Sequence, residues 1–438
     1  MSILRFIFEW QDPGGARGEE LRATWASLSI LIDDTPVTEL QDRRSKSVRT
    51  SVFVPLFPLA EWFTEHWWFL QSEVERLGAA SSRDFDRRHN LRWAREGFVL
   101  PSLRFVTLGE NVEVIWQPLD IPSAGIRFLA GGHAELPREA VFDPVGGFVD
   151  AVVARLDDCG LSGTTLHEEW SAIQNADAAE QEFCRAAARL GADPYAVDNA
   201  LEATILDIAR RVRTDLLDDF LSLAAVDELT SQAAALANAS ESIATDADAI
   251  DVLEEIRRQT PPCRMSESPW ETGYRFAAEL RARVNRGAWK SRSLSDLAGH
   301  LGIAQLDHCL VAEAGGCPFL EALTGPNQRG NPKFLIEKRR PDSRQFAFCR
   351  ALFEHLTSPG SFAAVSRLRT HRQQMNRAFA AEFLAPHLML KRDLSGETIG
   401  EDEIDDLAFE YGVSPFVIRH QIENHGLARI SVVHGGLS

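Results

Sequence analysis

A change in sequence pattern near residue 145 is the feature that most restricts how this chain can fold. Before it, short apolar runs such as Ile3–Trp10, Trp25–Ile32 and Arg49–Val54 stop at nearby Pro, Gly, Asp or Thr residues. Such runs predict short strands joined by turns. After it, long segments rich in Ala and Leu predict helices. We therefore expect a multidomain α+β protein, in which strands dominate first and helices later.

The first part of the chain contains one clear hairpin and one clear helix. Leu103–Leu108 and Val112–Trp116 flank the turn Gly109-Glu110-Asn111, which is typical of a β-hairpin. Apolar side chains recur at helical spacing over Leu59–Leu77 and predict a single helix. We expect this helix to lie on a mostly antiparallel sheet. We assign no catalytic or binding role to residues 1–145.

A length of 438 residues predicts two to four domains. The pattern places a strand-rich α+β domain at 1–145 and a helical domain or connector at 146–262. A mostly helical domain with a short sheet follows at 263–438. Ile404–Glu410 and Pro415–Asn424, separated by Tyr411-Gly412-Val413-Ser414, predict a closing helix–turn–helix.

Charge and cysteine usage restrict the compartment and the partners. With 46 basic and 64 acidic residues, the chain has a formal charge of −18 and is a poor general ligand for nucleic acid. Its six cysteines form no CxxC pair, which favours a reducing compartment. The apolar stretch 52–70 is interrupted by prolines and charges, and the first residues lack the pattern of a signal peptide. We expect a cytoplasmic protein without membrane association.

Two later segments carry the most specific signal. The first is Arg344-Gln-Phe-Ala-Phe-Cys-Arg-Ala-Leu-Phe-Glu-His-Leu356, after a predicted strand at Lys333–Ile336, and the second runs from His371 to Pro386 and contains Phe-Ala-Ala-Glu-Phe-Leu-Ala-Pro. Together they resemble the ImmA/IrrE family of zinc metallopeptidases over about 265–430. The resemblance implies a zincin-like fold in which one helix carries an HExxH motif and a second helix supplies a third zinc ligand. It also implies a regulatory role, since family members usually cleave a partner repressor, often a helix–turn–helix protein.

The motif is degenerate in this chain. Aligned on the family pattern, Arg350 replaces the first His, Ala351 replaces the catalytic Glu and Glu354 replaces the second His. Gln373 falls near the third ligand position. A guanidinium cannot ligate zinc, and alanine cannot act as a base. We therefore expect a pseudopeptidase without a cofactor. It would be a non-catalytic protein-binding regulator in stress response or in the control of mobile elements, with a helix–turn–helix repressor as the expected partner.

Two alternatives depend on other side chains of the same region. His355, His371 and His387 could form a rebuilt zinc site, which would make the protein an active endopeptidase with an atypical centre. Lys333 to Arg377 holds ten basic and three acidic side chains, a net charge of +7. This cluster could form a phosphate, nucleotide or partner pocket, or its bases could pair with acids of the stretch 218–255. The residues of the candidate pocket are Arg344, Arg350, His355, His371, Arg372 and Arg377.

The closing helix–turn–helix does not have the composition of a DNA-binding helix–turn–helix. Its second helix offers only Arg419 and His420 as bases, and the preceding segment 397–406 is acidic. A recognition helix usually brings several Lys, Arg, Asn or Gln side chains to the groove. We expect packing or partner docking here, and direct nucleic-acid binding is not expected.

Overall fold

The structure, a computed structural model, divides the chain into two compact units, Met1–Ile205 and Leu206–Ser438. It describes residues 3–13, 16–75, 82–94, 97–248, 251–260, 262, 268–284, 289–311 and 316–431. Both units combine helices with small, mainly antiparallel sheets, so the chain is an α+β protein. The helices of the predicted middle segment 146–262 are shared between the two units. Among the described residues, no helix combines the length and apolarity that crossing a bilayer requires.

The described residues of the first unit form three antiparallel sheets. The strands are β1 Leu4–Trp10, β2 Trp25–Ile32, β3 Thr35–Pro36, β4 Leu40–Asp42, β5 Ser47–Arg49, β6 Val52–Pro55, β7 Ser102–Thr107, β8 Asn111–Gln117, β9 Leu119–Ile121, β10 Ile126–Phe128 and β11 Gly132–Pro137. One sheet has the order β1-β2-β3, with β6 also paired to β2, and the others have the orders β5-β4-β10-β9 and β11-β8-β7. The predicted hairpin is β7–β8, in which Thr107 pairs with Val112. Gly109 provides its turn with a φ of 104°, which glycine adopts at little cost.

Aromatic side chains join the sheets of this unit to its helices. The helices are α1 Glu19–Ala23, α2 Phe57–Glu65, α3 Trp67–Ser72, α4 Ser82–His89, α5 Arg138–Asp158, α6 Thr165–Asn175, α7 Ala178–Arg189 and α8 Asn199–Arg211, the last of which spans the division between units. Phe63 of α2 meets Phe6 of β1 at 5.8 Å and Phe105 of β7 at 6.3 Å.

The prediction of one helix over 59–77 was wrong, because α2 ends at Glu65 and α3 begins at Trp67. His66 lies between them, and its ring bonds the Trp62 carbonyl oxygen at 2.9 Å and caps the first helix. The last two positions of the predicted helix, 76 and 77, lie outside the described residues.

The second unit is mostly helical. Its helices are α9 Thr214–Leu223, α10 Leu229–Ala244, α11 Asp251–Gln259, α12 Pro269–Arg283, α13 Leu294–Leu301, α14 Pro341–Thr357, α15 His371–Leu384, α16 His387–Asp393, α17 Glu401–Tyr411 and α18 Pro415–His425. Its strands are β12 Ala322–Pro326, β13 Pro332–Ile336, β14 Ala363–Val365, β15 Thr398–Ile399 and β16 Arg429–Ile430. The order β13-β12-β14 forms an antiparallel sheet, and β15 pairs with β16 in parallel.

The core of the second unit forms where α12, α14 and α15 pack together. Phe353 of α14 meets Phe276 of α12 at 5.5 Å and Phe379 of α15 at 5.2 Å. Gly273 permits the close approach of α12 and α15, since a Cβ there would lie 2.4 Å from the Met375 carbonyl oxygen. This packing holds α14 and α15, the helices that contain Arg350 and Gln373, side by side.

The two helices of the predicted helix–turn–helix are α17 and α18, and their turn is fixed to the core. Gly412 ends α17 with a φ of 61°, and a Cβ there would lie 2.4 Å from the Ser291 carbonyl oxygen. Buried Gln345 of α14 donates to the carbonyl oxygens of Gly412 at 3.2 Å and Ser291 at 3.1 Å. The helix–turn–helix is therefore anchored to α14 by a buried amide.

Candidate functional site at Arg350

Arg350 lies in the interior of the second unit, where α14 faces β14 and the start of α15. Its side chain is only 2% exposed. Pro341 occupies the first turn of α14, where the missing N–H costs nothing, and nearly every side chain from Gln345 to Leu356 is buried. Arg350, Ala351 and Glu354 therefore point into protein rather than into an open cleft.

Protein acceptors surround the Arg350 guanidinium. Nε donates to Asn376 at 2.7 Å, and Nη2 donates to Gln373 at 2.7 Å and to the Ser366 carbonyl oxygen at 2.8 Å. Nη1 pairs with the Glu321 carboxylate. A bound anion would have to displace these contacts. We call these five residues, Arg350, Glu321, Ser366, Gln373 and Asn376, the Arg350 network.

The electrostatics of the network follow from its burial. Burial, assisted by the nearby charge of Arg377, lowers the pKa of Arg350 to about 9, while Glu321 and Glu354 act in the opposite direction. Burial also raises the pKa of Glu321, but the charges of Arg350 and Lys338 outweigh it and hold that pKa below its ordinary value. At pH 7 the pair is therefore an arginine cation and a carboxylate anion in a poorly hydrated place.

The other degenerate positions are also used in internal contacts. Glu354 is 1% exposed, accepts from Asn376 at 2.6 Å and forms an ion pair with Arg372 at 3.1 Å. Ala351 is fully buried in the hydrophobic core. Arg372 reaches further, to Asp219 of α9. The position expected for a second histidine is thus a carboxylate held between an amide and a guanidinium.

Gln373 closes the free edge of the sheet. In β14, Val365 bonds toward β12 through its carbonyl oxygen, so the neighbouring Ala364 and Ser366 turn their polar groups away from that strand. Gln373 Nε2 donates to the Ala364 carbonyl oxygen at 2.8 Å, and Gln373 Oε1 accepts from the Ser366 N–H at 3.1 Å. One side chain thus satisfies the edge that an added strand would use.

The remaining residues of the candidate pocket lie on α14 and α15 and in different surroundings. Arg344 is half-buried and donates to the Lys338 carbonyl oxygen at 3.4 Å, and Arg377 donates to the carbonyl oxygens of Ser366 and Leu368. His355 is 7% exposed with Nε2 3.6 Å from Glu254, and burial lowers its pKa to about 4. His371 is the first residue of α15.

Acids of the stretch 218–255 meet bases of the segment 333–377. Besides Arg372 with Asp219 and His355 with Glu254, buried Lys333 contacts Asp246 at 2.7 Å and Asp248 at 2.8 Å. The pairs of Arg372 and Lys333 attach α9 and the segment after α10 to α15 and to the sheet. His355, which its lowered pKa keeps neutral at pH 7, only lies beside Glu254 of α11. Much of the positive charge of the segment is therefore neutralised inside the second unit.

The three histidines proposed for a rebuilt zinc site are not gathered. Within the described ranges, ligand atoms of three candidate metal-binding side chains come within 4.8 Å of one another only at Glu382, His387 and His425. That group includes His387 but neither His355 nor His371. It lies at the far end of α15 from Gln373.

Sequence reasoning missed three members of the Arg350 network, namely Glu321, Ser366 and Asn376, of which Ser366 takes part through its backbone. Asn376 follows Gln373 by three residues, so helical spacing could have placed both amides on one face of α15. Glu321 lies just before β12, and nothing in the local sequence indicates which distant base it pairs with. No family model, curated protein or solved structure matches this chain.

Proposed function

We propose that the second unit is an ImmA/IrrE-like pseudo-metallopeptidase that acts as a non-catalytic, protein-binding regulator. The order of strand β13, helix α14, strand β14, helix α15 and a closing helix pair supports this proposal, together with the sequence resemblance. The observation that carries it is the Arg350 network. A buried guanidinium with its own protein acceptors stands where the family pattern places the first zinc ligand, and it repels a metal cation.

The partner is expected to bind away from the former motif. Extended peptides can bind by adding a strand to a free sheet edge. At β14 such a peptide would have to displace Gln373 from Ala364 and Ser366. Displacement would leave buried polar groups of the Arg350 network without partners, at a cost of about 1–3 kcal/mol for each group. A surface outside this edge is the better docking place.

The outer side of α17 offers such a surface. Asp402, Asp405, Asp406 and Phe409 are exposed and spaced at i, i+3, i+4 and i+7, which places them on one face of the helix. Phe409 is 72% exposed, a large value for an aromatic side chain. We call these four residues the α17 face.

The aspartates of the α17 face are separate from the ion pairs of this helix, and one base, Arg292, lies over the Phe409 ring at 5.3 Å. Glu401 and Glu410 of the same helix pair with Arg419 and Lys290. Across the described residues, no ion pair of this kind involves the three aspartates of the face. A row of carboxylates beside an aromatic side chain complements a basic surface that also has an apolar contact.

A DNA-binding repressor presents such a basic surface, because it must neutralise phosphates. We therefore propose that the α17 face binds the DNA-contacting side of a helix–turn–helix repressor and competes with its operator. In this proposal regulation results from occupancy and requires no hydrolysis.

The test compares partner capture by three forms of the full-length, tag-free chain after immobilisation. The α17-face variant carries Asp402→Lys, Asp405→Lys, Asp406→Lys and Phe409→Ala. The control carries Asp158→Lys, Glu168→Lys and Glu180→Lys, the same charge change at exposed residues of the first unit. We expect the wild type and the control to retain a helix–turn–helix protein that DNA displaces. The face variant should retain at least tenfold less of this protein.

Two results would overturn the proposal. Equal retention by the face variant and the control would exclude the α17 face as the docking surface. Cleavage of the retained protein after incubation with zinc, detected by intact-mass spectrometry, would show that the protein is a peptidase after all.

A further inference from the structure

Three helices of the second unit bring together three side chains that can bind a metal, those of Glu382, His387 and His425. Glu382 lies near the end of α15, His387 begins α16 and His425 ends α18. His387 Nδ1 is 2.8 Å from Glu382 Oε1, and His425 Nε2 is 3.9 Å from Glu382 Oε2. The two imidazole rings stack at 4.2 Å with an angle of 11°. We call these residues the His–Glu cluster.

The carboxylate of this cluster is buried and contacted mainly by groups that carry no fixed charge. Glu382 is 3% exposed. It accepts from Gln421 Nε2 at 2.8 Å and from the His387 N–H at 3.2 Å, besides its contacts with the two imidazoles. Arg281 interacts with it through space, but Arg281 donates to the carbonyl oxygens of Phe383 and Trp289. A buried anion of this kind is stabilised by a cation placed directly on it.

The imidazole nitrogens lie within reach of one ion beside Glu382, although one of the two stacked rings must turn before both in-plane lone pairs can meet it. His425 Nε2 is buried and has no hydrogen-bond partner among the described residues. A neutral imidazole nitrogen with a free lone pair is the form that binds a metal. The His387 side chain is 33% exposed, which gives an ion a path from solvent.

We propose that Glu382, His387 and His425 bind one divalent transition-metal ion, with zinc as the best fit. Two histidines and one glutamate are an established donor set for zinc, and three protein ligands leave a fourth position for water or for a group of a partner. The site is separate from the degenerate motif: Glu382 follows Gln373 by nine residues, about 14 Å along α15.

Metal binding would link three helices of the second unit. An ion held by α15, α16 and α18 would fix the helix–turn–helix to the core at the end opposite to the Gln345 anchor. It would also restrict the His425 ring, which is otherwise held by ring contacts with His387 and Tyr274 and has no hydrogen bond at Nε2 among the described residues. Metal binding is therefore expected to stabilise α18 more than other helices of the second unit.

The test uses full-length, tag-free protein stripped with EDTA and titrated with zinc chloride by calorimetry. We expect one saturable site with a dissociation constant in the micromolar range or below. His387→Asn and His425→Asn should each weaken binding at least tenfold. His420→Asn, at an exposed histidine of the same helix, should leave it unchanged. Titration with cobalt chloride should give the visible absorption of a four- or five-coordinate ion, and the double variant His387→Asn/His425→Asn should lack this absorption.

Hydrogen exchange measured by mass spectrometry keeps the proposal falsifiable if one variant folds poorly. Zinc should slow exchange in peptides of α18 in the wild type and in His420→Asn, but not in His387→Asn. Absence of a saturable site in the wild type would overturn the proposal. Undiminished zinc binding in the double variant His387→Asn/His425→Asn would also overturn it and direct attention to other side chains. Neither result depends on whether the α17 face binds a repressor.

Discussion

Arg350 and Glu321 form a buried ion pair between residues 29 positions apart in the sequence. The guanidinium is 2% exposed and the carboxylate 17%. The pair connects α14 to the start of β12, and through Ser366 and Gln373 the same guanidinium holds β14 and α15. Arg350 is therefore a junction between helices and sheet.

Replacing Arg350 by methionine should strongly destabilise this junction. The variant leaves the buried Asn376 Oδ1 without its Arg350 donor and leaves Glu321 with Lys338 as its nearest base at 3.1 Å. We expect a loss of about 1–3 kcal/mol in the stability of the second unit. Hydrogen exchange in peptides of α14 and α15 measures the loss locally, and peptides of β7–β8 serve as an internal reference.

Arg367→Ala is the matched control for that variant. Arg367 is 3.8 Å from the same Glu321 carboxylate, but its side chain is 70% exposed. Its removal should change stability by no more than about 0.5 kcal/mol. Equal effects of the two substitutions would mean that burial does not determine the importance of Arg350.

Glu321→Gln should change the acid sensitivity of the second unit. Because the charges of Arg350 and Lys338 outweigh burial, the pKa of folded Glu321 lies below the ordinary value of 4.5. Its ionised form therefore contributes stability that is fully present above about pH 4.5 and is lost as the pH falls through the folded pKa. Thermal unfolding from pH 7 to pH 3 should show a wild-type advantage that is constant down to about pH 5 and then shrinks. A constant advantage over the whole range would contradict this assignment.

Gly273→Ala should separate α12 from α15. The added Cβ would lie 2.4 Å from the Met375 carbonyl oxygen and 2.8 Å from Ala378 Cβ, so one helix must shift. We expect a loss of about 1–3 kcal/mol, measured by urea unfolding monitored by circular dichroism.

Gly299→Ala provides the comparison for this helix-packing prediction. Gly299 lies in α13, and a Cβ added there would meet no heavy atom within 4 Å. Alanine at this position should be neutral or stabilising by up to about 1 kcal/mol, because it favours the helix. A loss of stability similar to that of Gly273→Ala would argue against close packing as the cause.

Restoring the family motif should create a zinc site if α14 and α15 have the expected geometry. The variant carries Arg350→His, Ala351→Glu, Glu354→His and Gln373→Glu, in the background His387→Asn/His425→Asn that removes the His–Glu cluster. Two histidines at i and i+4 share one helix face, and the carboxylate introduced by Gln373→Glu would approach from α15. We expect one zinc per chain by mass spectrometry of the dialysed protein, and none in the background alone. A folded variant without zinc would count against the family resemblance.

Local patterns were sufficient to predict much of the secondary structure. The hairpin β7–β8 follows from alternation around Gly109, and α17 and α18 follow from helical spacing on either side of Gly412. The α+β class follows from the change in pattern along the chain. These features depend on residues close in sequence, where turn chemistry and periodicity decide the conformation.

The remaining features depend on distant contacts that periodicity does not encode. The ion pair of Glu321 with Arg350 and the meeting of Glu382 with His425 are both set by tertiary packing. The division of the predicted helix 59–77 at His66, where φ is −104°, is accompanied by a ring nitrogen that bonds the Trp62 carbonyl oxygen in addition to the backbone N–H. Sequence alone placed Arg350 in a motif but did not decide between an anion pocket and an internal ion pair.

The amide of Gln373 also has a consequence for the behaviour of the protein at high concentration. A bare edge strand is a template on which copies of a chain can add to one another and polymerise. Gln373 bonds Ala364 and Ser366 from α15, so its side chain takes the place of a further strand beside β14. Gln373→Ala would expose this template, so the glutamine should protect the chain against self-assembly into aggregates.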